Sequence, residues 1–543
     1  MRRLLPLVLL FTAACQNVTE SPEIPETVLA ALDSASVRPH IEILSDDAME
    51  GRGTGQPGEA RAVAYIAEQM EAAGLEPAGD DGTWFQEVPL LGSTPEPQGP
   101  LAFVHESGNE ILLDFVDDFI VSTDLEDTRV AVNAPLVFVG YGIEAPGYDW
   151  SSYKDVNVTD KIIVSFVNDP PANETEPNLF QADTLTYYGR WTYKYEEARR
   201  KGARGAILIH TTPTASYPFQ VLSATAAGEQ IQLATPPENP LALKSWITEE
   251  SARALAEMSG STLEAWFEAA GGRDFQPMEL PVSAAVQVDY AVRRFSGQNV
   301  VGKITGAVRP DESVVFSAHH DHLGIGKPDA SGDTIYNGAV DNASGVGMLL
   351  SLGKAMSASP EPPERSLVFL SVSAEESGLL GAEFYARNPH LPLALAAGNI
   401  NVDSGNVYGR THDIVGIGAE KSEMMGLFRE AAEAEGLRVE PDPNPNAGSF
   451  FRSDQLAFAR GGVPAVFVVT GKDYQGRPEG WGLENRADYT ANRYHQPSDE
   501  FDPSWPMGGV VQQMRVAARV AYRLGWSDLE LQWNEGEAFG EAR

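Results

Sequence analysis

Short, nearly continuous apolar runs alternate with helical segments in the second half of the chain, and this alternation constrains the fold more than any other feature. The predicted strands are 299–305, 313–317, 366–372, 399–402 and 465–469. The predicted helices between them lie near 343–357, 379–388 and 420–435. Strands that are apolar on both faces are typical of parallel sheets that helices cover on both sides. The pattern predicts an α/β domain with a mostly parallel sheet and helices on both faces.

Two further patterns precede this region. A helix is predicted at 58–73, where the apolar residues fall at helical spacing and Gly74 follows as a stop signal. From about residue 130, short apolar strands at 136–139, 161–164 and 206–209 are separated by loops rich in Gly, Pro and Asp, with one helical stretch near 195–201. This middle region is a separate, strand-rich pattern between the other two.

The N-terminus reads as a signal peptide. Arg2 and Arg3 precede an apolar run at 4–11, and two alanines come just before Cys15. The run is too short to cross a bilayer as a helix. The position of Cys15 resembles the lipidated cysteine of bacterial lipoproteins, although Thr12 stands where leucine is usual.

Composition removes several classes of function. The chain has 39 Lys and Arg against 77 Asp and Glu, a net charge of -38, which argues against nucleic acid or an anionic membrane surface as the main partner. Its single cysteine excludes an intrachain disulfide, a cysteine-based zinc finger and an iron–sulfur cluster.

Ionisable residues follow the predicted strands of the α/β region, where active sites of such sheets collect. His319, Asp321, Glu375, Glu376 and Asp403 stand at such strand ends, Asp341 stands where the next helix opens, and His495 stands near the C-terminus. Imidazole and carboxylate groups suit zinc or a similar divalent ion. Their wide spacing along the chain means that they meet only if the fold brings the strand ends together.

The motifs around these residues carry a family resemblance. AHHDHLG, NGAVDNASG, SAEESGLLGAE, NVDSG and YHQPSDEFD resemble the co-catalytic dizinc aminopeptidases of metallopeptidase family 28. The resemblance covers about 40–90 and 295–525 and implies the zinc exopeptidase fold. In the middle region, VFVGYGI and KGARGAILI resemble the protease-associated domain that some members carry as an insertion.

The resemblance implies a ligand set for two Zn²⁺ ions per chain. His319 and Asp403 would bind one ion, while Glu376 and His495 would bind the other. Asp341 would bridge both ions, with a cis peptide bond to the following residue.

The resemblance also implies the catalytic roles. Glu375 would be the general base that takes a proton from a metal-bridging water, and Asp321 would orient the imidazole of His319. Asp499 and Asp454 are candidates for supporting carboxylates, or for simple turn and cap residues. His320 and His322 receive no role from the family and are interpreted as structural.

Together these features divide the chain into six predicted segments. They are the signal peptide 1–14, a lipidated tether 15–30, a first peptidase part 31–128, the protease-associated insertion 129–290, a second peptidase part 291–530 and an acidic tail 531–543.

The predicted function is a zinc-dependent exopeptidase acting on peptides with a free N-terminus. The alternatives are a carboxypeptidase or dipeptidase on the same scaffold, or a non-catalytic peptide-binding protein. The predicted location is the bacterial cell envelope, periplasm or outer membrane, with the lipid on Cys15 as the one membrane contact; an unlipidated chain would be secreted. The sequence gives no indication of oligomeric state.

Overall fold

The computed structural model describes residues 22–182, 184–215 and 218–542. The predicted signal peptide and Cys15 lie outside these residues. Within them, no helix is both long and apolar enough to cross a membrane.

The described α-helices and strands alternate mainly from residue 344 onward, whereas strands follow one another without an α-helix between Glu76 and Phe166. The α-helices are Glu26–Ala31, Ser34–Leu44, Pro57–Ala72, Trp191–Arg200, Thr212–Ala215, Gln220–Ala226, Glu249–Met258, Leu263–Ala270, Ser344–Ser357, Leu380–Arg387, Met424–Ala434, Gln455–Arg460, Trp481–Asn492 and Gly508–Gly525. The strands are Glu76–Pro77, Phe85–Pro97, Leu101–His105, Glu110–Leu113, Phe119–Ser122, Arg129–Phe138, Glu144–Ala145, Trp150–Ser151, Ile162–Phe166, Gly205–Ile209, Gln230–Leu233, Leu243–Ile247, Met278–Ile304, Arg309–His319, Gly324–Ile325, Ile335–Tyr336, Arg365–Val372, Ala396–Asn401, Asp413–Ile417, Arg438–Val439 and Ala465–Thr470.

We call the α/β part of the molecule, which contains the strands from Arg309–His319 onward, the first lobe. The strands at the centre of its sheet are parallel. Arg309–His319 lies between Arg365–Val372 and Ala396–Asn401, and Ala465–Thr470 extends the parallel set beyond the latter strand. Antiparallel strands continue the sheet on both sides, with Met278–Ile304 next to Arg365–Val372 and Asp413–Ile417 next to Ala465–Thr470. The predicted α/β class is confirmed, with parallel pairing at the centre of this sheet and again between Asp413–Ile417 and Arg438–Val439.

Alternate residues of the central strands face two different cores. Val314 and Phe316 point into the larger cluster, with the helices Ser344–Ser357 and Gly508–Gly525. Val315 points into the cluster on the other face. This is why the central strands read as continuous apolar runs, since helices cover both faces of the sheet.

The N-terminal helix Pro57–Ala72 confirms the helix predicted at 58–73, and its apolar face is buried. Gly74 has a φ of +80°, and the amides of Gly74 and Leu75 donate to the carbonyls of Glu71 and Met70. These bonds are those of a Schellman cap, which ends the helix. The tether prediction fails for residues 26–30, which belong to the helix Glu26–Ala31 with its Val28 and Leu29 side chains buried.

A second, β-rich lobe has its own cores. Its sheet includes the parallel strands Ile162–Phe166, Gly205–Ile209 and Leu243–Ile247. Leu101–His105 and Phe119–Ser122 also pair within this lobe, so it begins after Pro97 rather than at the predicted residue 129. The sequence missed this boundary because the long strand Met278–Ile304 runs through both lobes as one ladder.

The predicted acidic tail, 531–543, is packed against the rest of the molecule over most of its described length. Leu531 and Phe539 are buried, and the Trp533 indole donates to the Gly462 carbonyl. Apolar residues spaced among the acids hold this segment in place, so it is not a free tail.

Candidate metal centre

The strand ends bring the predicted site residues to one edge of the parallel sheet. His319 is the last residue of the strand Arg309–His319. The neighbouring strands end just before Glu375, Glu376 and Asp403. Because these three strands are parallel neighbours, their carboxyl ends lie side by side.

Asp341 enters the cluster from a tight turn before the helix Ser344–Ser357. The Asp341–Asn342 peptide bond is cis, as the resemblance implies. Gly338 starts the turn with a φ of +56°, and a Cβ there would lie 2.2 Å from the Asp341 carbonyl oxygen. A glycine is therefore required where the chain turns back toward the sheet.

His495 completes the cluster from the loop after the helix Trp481–Asn492. Its Nε2 lies 3.3 Å from Asp341 Oδ2 and 3.1 Å from Glu376 Oε2. On the other side of Asp341, His319 Nε2 lies 3.3 Å from Asp341 Oδ1 and 3.4 Å from Asp403 Oδ1. The two oxygens of Asp341 thus face two different imidazoles.

These separations fit zinc. Ligand atoms that are each about 2.0–2.2 Å from a tetrahedral ion lie about 3.3–3.6 Å from one another. The distances between imidazole nitrogens and carboxylate oxygens in the cluster, 3.1 to 3.4 Å, are close to that spacing. The residues present can therefore hold such ions without rearrangement of the strands.

The imidazoles and carboxylates of the cluster stabilise each other's charged forms. Burial alone would raise the pKa of Asp341, but the facing His319 and His495 imidazoles hold it well below its usual range. Burial opposes the charged form of His495, but the Asp341 and Glu376 carboxylates raise its pKa to about 10. Without a metal ion, the His495 imidazole therefore carries a proton on a nitrogen that would have to be free to bind zinc.

Glu375 lies beside the ligand cluster without joining the pairs described above. One of its carboxylate oxygens is within 4.8 Å of ligand atoms of His319 and Asp403. Burial, together with the Glu376 carboxylate, raises the pKa of Glu375 well above its usual value, although His319 opposes the shift. A partly buried carboxyl group with a raised pKa is suited to take up and return a proton.

The Asp321 carboxylate lies near the His319 imidazole but is not hydrogen-bonded to it. Its Oδ1 lies 3.9 Å from His319 Nδ1, whereas the backbone carbonyl oxygen of Asp321 lies 3.2 Å away. The carboxylate instead accepts hydrogen bonds from the backbone amides of Glu375 and Glu376 and from the hydroxyl of Thr54. The side chain of Asp321 therefore fixes the backbone of the Glu375–Glu376 pair, and its carbonyl group orients the imidazole.

Asp499 holds the turn that carries Asp341. It accepts hydrogen bonds from the backbone amides of Val340 and Asp341 and from the Tyr489 hydroxyl. Burial raises the pKa of Asp499 to about 6. Asp499 and Asp454 were the two predicted supporting carboxylates, and Asp499 is the one that contacts the turn carrying Asp341.

Asp454 sits in a different environment. It is fully buried, and neither carboxylate oxygen has a hydrogen-bond partner within residues 22–182, 184–215 and 218–542. Burial raises its pKa to about 8. Its neighbour Ser453 donates to Asp403 Oδ2 at 2.7 Å, and Asn401 donates to Ser453 Oγ at 2.8 Å.

Sequence reasoning missed two buried residues at the site. His322, interpreted as structural, has its Nδ1 2.7 Å from Glu376 Oε1. Arg52 is buried near the site. It donates to the backbone carbonyls of His320, Leu44, Asn337 and Gly338. The dense histidine run HHDH and the Gly-Arg-Gly sequence were the available signals for these two residues.

His320 is buried away from the ligand atoms. Its Nδ1 lies 3.0 Å from Ser371 Oγ, and its Nε2 lies 3.6 Å from the buried Glu59 carboxylate. This position agrees with the structural interpretation of His320.

Comparisons with known proteins show that the part of the chain containing this site is similar to known peptidases. Residues 299–518, which contain all five predicted ligands and Glu375, match the model of peptidase family M28. Over 147 residues the chain is 31% identical to aminopeptidase NAALADL1 of Rattus norvegicus, covering 25% of this chain and 18% of that protein. It is 25% identical over 232 residues to a probable zinc metalloprotease of Leptosphaeria maculans, covering 38% of this chain and 47% of that protein. The chain thus spans less than half the length of these relatives.

Solved structures also resemble the chain over most of its length. An aminopeptidase from Aneurinibacillus sp. strain AM-1 has 18% identity and a TM-score of 0.47, covering 94% of this chain and 98% of that one. The zinc aminopeptidase BSAP of Bacillus subtilis has 17% identity and a TM-score of 0.41, covering 93% and 99%.

Proposed function

We propose that this chain, whose residues 299–518 match the model of peptidase family M28, is a zinc-dependent exopeptidase that removes N-terminal residues from peptides. The placement of Asp341 carries the proposal. Its two oxygens face His319 and His495, and each imidazole also faces a second carboxylate. Two zinc ions would share Asp341, one held by His319 and Asp403 and the other by His495 and Glu376.

Each of these residues has a separate task. Zinc ions, when bound, supply Lewis acidity that polarises the scissile carbonyl group and lowers the pKa of water. Glu375 accepts a proton from the attacking water and returns it to the leaving amine. Asp321 keeps Glu375 and Glu376 side by side through its hydrogen bonds to their backbone amides.

The charge of the site favours a free amino group over a free carboxylate in the substrate. Asp341, Glu376 and Asp403 offset most of the charge of two divalent ions, and Glu375 adds another carboxylate next to them. This acidic residue can attract the α-ammonium group of a peptide and gives no binding partner to a C-terminal carboxylate. The name aminopeptidase on one of the relatives supports the same choice.

An assay with paired substrates tests the proposal. Amino-acid anilides and their N-acetylated forms should be compared with and without a zinc chelator. We expect cleavage of the free-amine substrates only, lost with chelator and recovered with added zinc. Equal cleavage of blocked substrates would favour another peptidase on this scaffold, and chelator-resistant cleavage would contradict the metal. Binding of peptides without turnover would favour a non-catalytic binding protein.

The location of the protein rests on the N-terminal sequence. A lipid on Cys15 would hold the enzyme at the bacterial cell envelope, and residues 1–14 would be removed. The variant Cys15→Ser should move the protein from the membrane fraction to the soluble fraction. Unchanged partitioning would contradict the anchor.

The second lobe is proposed to be a protease-associated domain. The segments VFVGYGI and KGARGAILI support this assignment. They include parts of the strands Arg129–Phe138 and Gly205–Ile209, which flank the strand Ile162–Phe166 in the sheet of the lobe. An experimental structure of the lobe whose strand order differs from that of protease-associated domains would contradict it.

A further inference from the structure

The second lobe touches the segment that supports the Asp403 ligand, and this contact carries an inference that rests on the proposed function. The segment, residues 449–455, lies between Asp403 and the second lobe. At one end, Ser453 Oγ donates to Asp403 Oδ2 at 2.7 Å. The side-chain amide of Gln455 also donates to the Phe450 carbonyl at 2.7 Å, which holds the segment in a compact turn.

Three side chains connect this segment to the second lobe, and we name them the interlobe latch. Glu196, on the helix Trp191–Arg200 of the second lobe, forms an ion pair with Arg460 of the first lobe. The Tyr187 hydroxyl donates to Glu196 Oε2 at 2.5 Å, and the Arg460 guanidinium lies 5.6 Å from the Tyr187 ring centre. All three side chains are partly shielded from water, where such pairs are weakened less by solvent than at the open surface.

The latch reaches the support segment by two routes. Arg460 is the last residue of the helix Gln455–Arg460, whose first residue belongs to the segment. The Tyr187 ring also packs on Phe451, with ring centres 6.3 Å apart, in the cluster that contains Phe450. The helix Gln455–Arg460 therefore contacts Glu196 of the second lobe at its C-terminal end. Its N-terminal end continues from the turn that contacts Asp403.

A loop of the second lobe holds the residues just before the segment. The Leu185 amide donates to the Pro445 carbonyl at 3.2 Å. Its side chain fills the space beside Gly448, where an added Cβ would lie 2.5 Å from Leu185 Cδ2. Residues 445–448 and the segment that follows them are thus bounded by the second lobe on one side and by Asp403 on the other.

From these contacts we infer that the interlobe latch is a positioning device for the metal centre: Glu196, Tyr187 and Arg460 hold the turn that orients Asp403. The second lobe then tunes metal affinity without contributing a ligand. Residues that orient metal ligands typically change metal affinity 10–100-fold when removed.

The test compares Glu196→Ala with Glu279→Ala. Glu279 forms an ion pair with Lys161 at 2.7 Å inside the second lobe, so its loss is a matched control that leaves the latch intact. For each protein, zinc affinity is measured by competition with a chelator, and amide hydrogen exchange is followed over 444–455 in metal-free protein. We expect Glu196→Ala to weaken the affinity for one of the zinc ions about tenfold. Exchange in 444–455 should be faster in the same variant, and Glu279→Ala should resemble the wild type in both measurements.

The inference and the proposed function fail in different ways. If wild-type protein binds no zinc, or cleaves no substrate, the proposed function fails. If the wild type binds zinc and turns over, but Glu196→Ala matches Glu279→Ala in zinc affinity and exchange, the latch has no positioning role. Glu196→Gln, which keeps the shape of the side chain, should give an intermediate loss and serves if Glu196→Ala does not fold.

Discussion

His322 Nδ1 lies 2.7 Å from Glu376 Oε1, so an imidazole outside the ligand set holds a carboxylate that faces His495. Burial and Asp341 oppose ionisation of Glu376, but His322 and His495 lower its pKa to about 2. Because Glu376 is ionised and can only accept, Nδ1 of His322 is the donor in this contact. The hydrogen bond leaves Oε2 of Glu376 directed at His495.

The first prediction follows from this contact. His322→Ala should weaken binding of one zinc ion about 10–100-fold, because Glu376 loses the donor that orients it. His322→Asn, whose amide can donate from a similar position, should recover part of the loss. Competition with a chelator measures both, and His412→Ala, at an exposed histidine, is the control. Unchanged affinity in His322→Ala would show that Glu376 needs no partner.

Substitution of Glu375 should remove proton transfer without removing zinc. Glu375→Gln should lower kcat about 10²–10⁴-fold because the amide cannot accept the proton, while zinc content stays at the wild-type value. Glu376→Gln is the matched control and should lose zinc together with activity. Steady-state kinetics and metal analysis on the same samples decide the assignment, since loss of zinc from Glu375→Gln would place Glu375 among the ligands.

Arg52 should be important for stability. It is buried and donates to four backbone carbonyl groups, with N···O distances of 2.5 to 2.9 Å. Arg52→Met leaves those acceptors without donors and should lower the free energy of unfolding by at least about 3 kcal/mol. Arg61→Met, which breaks an exposed pair with Glu50, should cost about 0–1 kcal/mol. Equal denaturation midpoints for the two variants would contradict this role.

Zinc binding should release protons. In metal-free protein the pKa of His495 is about 10, so its imidazole is charged at pH 8, whereas a zinc ligand must be neutral. Zinc affinity should therefore rise with pH until the imidazole titrates near pH 10. Titration calorimetry at pH 8 in buffers of different ionisation heat measures the release, and His495→Ala should release fewer protons. Heats that do not depend on the buffer would contradict the raised pKa.

Much of the site followed from local pattern. Apolar strands predicted a parallel sheet, and the carboxyl ends of such strands lie at one edge, which is where His319, Glu376 and Asp403 meet. His495 lies in a loop after a helix, so only the family resemblance pointed to it. The fold class was predictable for the same reason, because helices on both faces of a sheet leave a readable apolar pattern.

The supporting residues could not be predicted in this way. Arg52 contacts carbonyl groups 268 to 286 residues away in sequence as well as one nearby, and no periodicity encodes such contacts. The role of the Asp321 carboxylate toward His319 stays a prediction, because spacing in sequence cannot tell a side-chain contact from a backbone contact. The lobe boundary was misplaced because the strand Met278–Ile304 hydrogen-bonds in both lobes.

The central claim is that two zinc ions share Asp341, and anomalous diffraction at the zinc absorption edge tests it most directly. Crystals of the zinc-loaded protein should give two peaks, one beside His319 and Asp403 and one beside His495 and Glu376, with Asp341 between them. A single peak, or two peaks that do not both contact Asp341, would contradict the claim.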